Sequence, residues 1–416
     1  MKIIAPFRGL RPLTALAKAI SAPPYDVINR TEAKILAAGN PHSFLHVSRA
    51  EINLPDEVSA TDPSVYAMAR NRLRAMIDAG WLVEDSQPCL YAYRLTMDGR
   101  QQLGWVGLAS VAAYQSGRIK KHELTRPDKE EDRTRLAEAL QAHAGPVFLL
   151  HRPDAGIRQA TDAALAAAEL LYDVTTDDGI GHTLWRVADV RATGDLEAAF
   201  ERIPCLYIAD GHHRSAAAVR VAETRAASTH PPAPESSVNR FLSVVFPADQ
   251  LRIMDYNRVV RDLHGYTVDS FLQAISGHFI IHPAAQPVKP VAKHHFGLYL
   301  PTRGWFQLQL DPRFHPPADT PPRDCLDVAL LDRYLLAPVL NIHDPRRDPR
   351  IDFVGGIRGM EGLMAHCDGN GMAAGFSLYP PDLEDLMRVA DAGQIMPPKS
   401  TWFEPKLRDG LVIQSF

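Results

Sequence analysis

Cysteine is scarce: Cys89, Cys205, Cys325 and Cys367 stand far apart, with no Cys-x-x-Cys pair. That spacing excludes a zinc ribbon and a disulfide framework. Long apolar runs are missing too, and no window reaches the roughly 18 uninterrupted apolar residues of a membrane helix. The opening run Met1-Lys2-Ile3-Ile4-Ala5 is broken by Pro6 and Arg8, so no secretory signal is read and a cytoplasmic protein is expected. Charge of one sign is weak. A formal net charge of −4 over 416 residues disfavours nucleic acid or a membrane surface as a partner. The chain carries no P-loop, no His-Glu-x-x-His helix and no Gly-x-Ser-x-Gly elbow, which removes three familiar catalytic frames.

What remains is an ordinary globular composition, 46% hydrophobic and 23% charged, long enough for a large core and two or three domains. One stretch concentrates chemistry. From Ile203 an apolar, strand-like run ends in Asp210-Gly211, and His212-His213-Arg214 opens an alanine-rich segment with helical periodicity. A strand, a tight turn and a helix start are predicted. Glycine lets a ligand approach the backbone, and the free N–H groups of a helix start favour an anion such as phosphate. Arg214 adds a planar fork of donors, and Asp210 is available to bind a metal or accept a proton. The plainer alternative makes Asp210 a helix cap with the histidines on a solvated first turn.

A second stretch, Ile119 to Arg133, packs Lys120, Lys121, His122, Glu123, Arg126 and further carboxylates between a strand and a helix expected over 133–143. It reads as a loop handling a polyanion, or as a solvated charge run. Elsewhere the pattern predicts helices over 31–38 with Thr31 as cap, 63–80, 159–170, 194–202, 267–277, 325–336 and 381–392. Strands are predicted at 89–95, 103–111, 144–150, 183–187, 240–246, 256–260, 295–300, 305–310 and 351–356. Asn40 to Val47 reads as a turn entering a strand. The glycines between Gly369 and Gly375 do not fit a dinucleotide fingerprint, because the last spacing is one too long.

Five stretches together carry a family resemblance: Pro23-Pro24-Tyr25-Asp26-Val27, Lys121-His122-Glu123-Leu124-Thr125, Ile208 to Arg214, Asn257-Arg258-Val259-Val260 and Met396-Pro397-Pro398-Lys399-Ser400-Thr401. In this order they resemble a bacterial and archaeal family of unknown function with an Asp-Gly-His-His-Arg motif, related to the ParB/sulfiredoxin-like superfamily that includes free serine kinases. The resemblance spans nearly the whole chain. It implies an α+β fold with a mixed sheet, a ParB/sulfiredoxin-like core over 119–264, and elaborating α/β segments over 1–118 and 265–416, the last packing back on the cleft. The long sequence separation of these stretches predicts that Pro23 to Val27 and Met396 to Thr401 return to one cleft.

The activity implied is a nucleotide-dependent phosphotransferase acting on the hydroxyl of a small metabolite, a serine-like amino acid among the candidates. Glu123 and Asp210 would be catalytic, with Asp210 holding Mg2+. Gly211, His212, His213, Arg214, Lys121 and Lys399 would bind the phosphates of a nucleoside di- or triphosphate, and Tyr25, Asp26 and Arg258 the substrate. Two other readings stand beside it. One is a ParB-type nucleotide-binding switch without kinase activity. The other is a metal-dependent hydrolase using the histidine pair and Asp210, which adjacent histidines pointing apart on a helix disfavour.

Overall fold

The computed structural model describes residues 2–233 and 235–416. The chain forms two compact units, residues 1–251 with 405–416, and residues 252–404. Among the described residues the first unit holds a nine-stranded mixed sheet. Its order across the sheet is Ile119–Lys120, Leu206–Asp210, Val147–His151, Arg240–Pro247, Arg100–Ser110, Leu90–Met97, Gly181–Val187 and Glu169–Thr175, with Ile4–Ala5 paired beside Arg100–Ser110. Strands on both sides of residue 118 are thus joined in one sheet. Two pairings are parallel, Ile119–Lys120 with Leu206–Asp210 and Val147–His151 with Arg240–Pro247; the other neighbours run antiparallel. This is the α+β, mixed-sheet class expected. The central strands read as nearly continuous apolar runs because both faces are covered, and Leu149, Leu206, Ile208 and Val245 are fully buried.

The last twelve residues belong to this unit, and backbone bonds stitch them in. Ala22 and Asp409 exchange N–H···O bonds of 3.1 and 2.9 Å, as do Leu10 and Ile413 at 3.0 and 2.8 Å. Gly410 turns the tail with φ +84°, and a Cβ there would lie 2.7 Å from Phe44. Only glycine meets both conditions. The turn fixes where Lys406 and Asp409 are presented.

The second unit is built on six antiparallel strands in the order Phe279–Ala284, Gly304–Leu310, His295–Leu300, Ala374–Leu378, Tyr256–Val260 and Ile351–Gly355. Among the described residues of the whole chain, no helix is long and apolar enough to cross a membrane.

Several local expectations are corrected. The helix after Asn29 runs Arg30–Ala37 and is capped by Asn29, not Thr31, through a reciprocal box with Glu32: Glu32 N–H to Asn29 Oδ1 at 2.9 Å, and Asn29 N–H to Glu32 Oε2 at 2.7 Å. Where a strand is expected up to Val47, the chain forms a short helix, Leu45–Ser48, with Phe44 at its N-cap; so short a segment fits either period. The helix expected to open at Arg133 begins six residues earlier and spans Pro127–Leu140. Proline suits a first helical turn, and Asp128 and Glu130 complement its positive end. The second half of the charge run is therefore helix. The alanine-rich helix ends at Ala166, and Glu169–Thr175 adds an edge strand the periodicity did not reveal. The helix near 381 starts at Leu383 with Asp382 as cap, so Pro381 precedes it.

Candidate functional site

Two short connections meet because two strands run parallel side by side. Leu206 lies opposite Ile119 and Tyr207 opposite Lys120, so both strands end at the same edge of the sheet. In such pairs the space beyond the carboxyl ends is where ligands bind. Residues 121–126 leave one strand for the helix Pro127–Leu140. From the other, Asp210 passes through Gly211 into the helix His212–Ala226. Gly211 sits at φ +92° and no side chain caps the helix among the described residues. The predicted strand, turn and helix start are all present.

His122 and His212 face each other edge to face, with ring centroids 4.6 Å apart. Glu123 Oε2 lies 3.9 Å from His212 Nδ1. One ligand atom from each of the three residues falls within 4.8 Å of the other two. Both imidazoles are buried, at 1% and 5% exposure, and the Ile208 backbone bonds the His122 ring. Burial pushes His122 down to about 4. Burial, then the neighbouring His122, holds His212 well below the usual range. Both rings are neutral at pH 7. Nε2 of His212 is buried without a hydrogen-bond partner among the described residues. His213 points elsewhere: its Nε2 accepts the Arg126 N–H at 3.0 Å, anchoring the loop to the helix.

Asp210 is partly buried, and both its oxygens are engaged. Oδ1 accepts the Gly211 N–H at 2.7 Å and Oδ2 pairs with Lys406 Nζ at 2.9 Å. Burial alone would raise this carboxyl, but Lys406 and Arg214 hold it far below the usual carboxylate range. Arg214 donates from its terminal nitrogen to the Pro146 carbonyl, and its buried Nε has no partner among the described residues. Behind it lies a cavity of about 50 Å³ whose lining includes Tyr25, Arg133, His143, Gly145, Arg214 and Asp409. The Arg133 guanidinium lies 3.9 Å from the Tyr25 ring centroid and is bound by Asp132 at 2.6 and 3.0 Å. Burial pushes the Tyr25 hydroxyl well above its usual value, with Asp26 adding to it. Burial likewise lifts Asp409 up to about 7 against the pull of Arg214. A Cβ on Gly145 would lie 2.7 Å from Asp409 Oδ1, so glycine there lets the carboxylate approach the strand.

The fold thus brings Glu123, Asp210, Gly211, His212, His213 and Arg214 to one edge, with Tyr25 lining the cavity behind Arg214. Asp26 is exposed and acts on Arg214 electrostatically. Lys121 is exposed beside the Tyr114 ring at 5.8 Å. Arg258 and Lys399 belong to the second unit. There Arg258 is 1% exposed and pushed down to about 10 by burial. It donates to the Tyr256 and Pro398 carbonyls at 2.6 and 3.1 Å, and Lys399 sits 5.6 Å from the Tyr256 ring. At Asp210, where the resemblance implies magnesium, the Gly211 N–H and Lys406 Nζ are the partners of the two oxygens. Sequence reasoning gave no role to His122, Arg133, Lys406 or Asp409. His122 stood inside a quoted motif, and its pairing with His212 needed the parallel register. The tail residues lay just past the Met396 to Thr401 motif.

No curated protein matches the chain significantly. Solved structures align distantly over most of it. A free serine kinase in complex with AMP is 12% identical, covering 71% of this chain and 86% of that one at TM-score 0.36. A conserved hypothetical protein from Pyrococcus furiosus is 13% identical, covering 74% and 94% at TM-score 0.35. SbnI with a C-terminal truncation, from Staphylococcus aureus, is 10% identical, covering 73% and 85% at TM-score 0.39. No residue role follows from likeness this distant. The family model described as "Protein of unknown function (DUF1015)" matches residues 4–329, most of the sequence, and the chain belongs to that family.

Proposed function

We propose that the chain is a nucleotide-dependent phosphotransferase acting on the hydroxyl of a small metabolite, with a ParB/sulfiredoxin-like core around the Asp210 turn. One observation carries the reading: a helix start behind Gly211 at φ +92°, uncapped by any side chain among the described residues, with the half-buried Arg214 guanidinium and Lys406 gathered at it. Backbone N–H groups at a helix start suit phosphate oxygens, and phosphoryl transfer is mostly positioning and charge neutralisation.

In this reading the N–H groups of His212 to Arg214 and the Arg214 fork receive the phosphates, with Lys121 as an outer contact. Lys406, held by Asp210, adds positive charge beside them. The acceptor oxygen attacks the terminal phosphorus, the bond to the nucleotide's bridging oxygen breaks, and Glu123 takes the hydroxyl proton. His212, which burial keeps neutral, lies 3.9 Å from the Glu123 carboxylate and brings no positive charge to it at pH 7. Tyr25 and Asp26 lie on the acceptor side. No step is routed through magnesium at Asp210.

The test is thermal stability with ATP, ADP, CTP or pyrophosphate. One of them at 100 times its dissociation constant should stabilise the protein by about 2.7 kcal/mol. An Arg214→Met variant should bind that ligand about 10- to 150-fold more weakly, the loss of a charge-assisted hydrogen bond worth about 1.5–3 kcal/mol. If no phosphate ligand stabilises the wild type, the reading fails.

A further inference from the structure

We propose that His122, Glu123 and His212 form a three-ligand site for a divalent transition cation of the Zn2+ class, with its fourth position open. The ligand set is two imidazoles and one carboxylate, which catalytic zinc sites use and which hard-cation sites for magnesium do not favour. The geometry is close to what coordination needs. Tetrahedral ligands at metal bonds of about 2.0–2.1 Å lie about 3.4 Å from one another. His212 Nδ1 and Glu123 Oε2 are 3.9 Å apart and all three ligand atoms lie within 4.8 Å, so sub-ångström to roughly ångström side-chain shifts close the site.

Three further features point the same way. The His122 ring is oriented by a bond to the Ile208 backbone, the kind of outer contact that fixes a metal-ligating imidazole. His212 turns its Nδ1 toward Glu123 Oε2 and sets its ring edge to face against His122, so all three side chains converge on one point. Glu123 has a side chain 35% exposed while the His212 side chain is 6% exposed, so the cluster is closed on its protein side and open toward solvent. The positive end of the helix at His212 opposes a cation, and the Glu123 carboxylate offsets it. A carboxylate has two oxygens, so ligation through one leaves the other able to accept a proton. The site shares Glu123 and His212 with the proposed phosphotransferase, but its test contains no nucleotide, so the two readings fail separately.

The full chain, stripped with a chelator and dialysed, is titrated with Co2+ and separately with Zn2+. Bound metal is counted by elemental analysis and Co2+ geometry is read from its visible absorption. One tight equivalent with the intense bands of a four- or five-coordinate ion is expected, displaced by Zn2+. His122→Asn and Glu123→Gln should each weaken binding by more than the about 10- to 100-fold typical of losing an outer-shell partner. Glu123→Gln changes a partly exposed group with little change in shape, so it keeps the test valid if His122→Asn does not fold. His282→Gln, at an exposed histidine of the second unit, should leave stoichiometry and spectrum as in the wild type. Absence of a stoichiometric site, or one unchanged in folded Glu123→Gln protein, overturns the proposal.

Discussion

Glu123→Gln is expected to lower turnover of the hydroxyl substrate by about 10²–10⁴-fold, the range for losing a positioned general base, while nucleotide still stabilises the fold. Glutamine keeps the shape and an acceptor oxygen but cannot take the proton. Because Glu123 stands 3.9 Å from a buried His212 that its surroundings keep neutral, no histidine charge compensates for the loss. The rate loss should persist with metal at saturation, which separates proton acceptance from ligation. Steady-state kinetics beside calorimetric nucleotide binding reads both. Equal kcat in variant and wild type would remove Glu123 from the chemistry.

Asp409→Asn is expected to stabilise the first unit at neutral and higher pH, and hardly at all near pH 4. Below about pH 4 the Asp409 carboxyl is protonated in both states, since its unfolded value is about 3.9. Between there and about 7, where burial has lifted the folded value, the unfolded chain has released the proton and the native chain holds it. Stability therefore falls as pH rises through that window, by about 1.4 kcal/mol per unit and about 4 kcal/mol in all. Above about 7 both states are ionised and the penalty is constant. Asparagine removes it, so denaturant unfolding of the variant and wild type should diverge from pH 4 to 7 and then run parallel. A constant difference across pH would mean that folding leaves the Asp409 carboxyl at its unfolded value.

The turn at Asp210 was legible because its evidence is local: an apolar strand, a glycine, and a helix start crowded with His212, His213 and Arg214. The strands expected over 89–95 and 103–111 were legible for the same reason, and they pair through a turn with Asp98 and Gly99 both at positive φ. Pairings set by the sheet were not. His122 meets His212 only because Ile119 and Leu206 stand opposite each other in parallel register. Lys406 reaches Asp210 across 196 positions, and Asp409 approaches Gly145 because the tail pairs with Ala22. No periodicity encodes such contacts. The charge run at 126–133 misled for a related reason: proline and acidic residues mark a helix start as readily as a loop.

The most direct test of the Asp210 to Arg214 turn as a phosphate site is a crystal structure with a non-hydrolysable ATP analogue. The account predicts a phosphate oxygen within hydrogen-bond distance of the N–H groups of His212 to Arg214, with Arg214 donating to the same group. Phosphate bound elsewhere, or a turn left empty at saturating analogue, would contradict it.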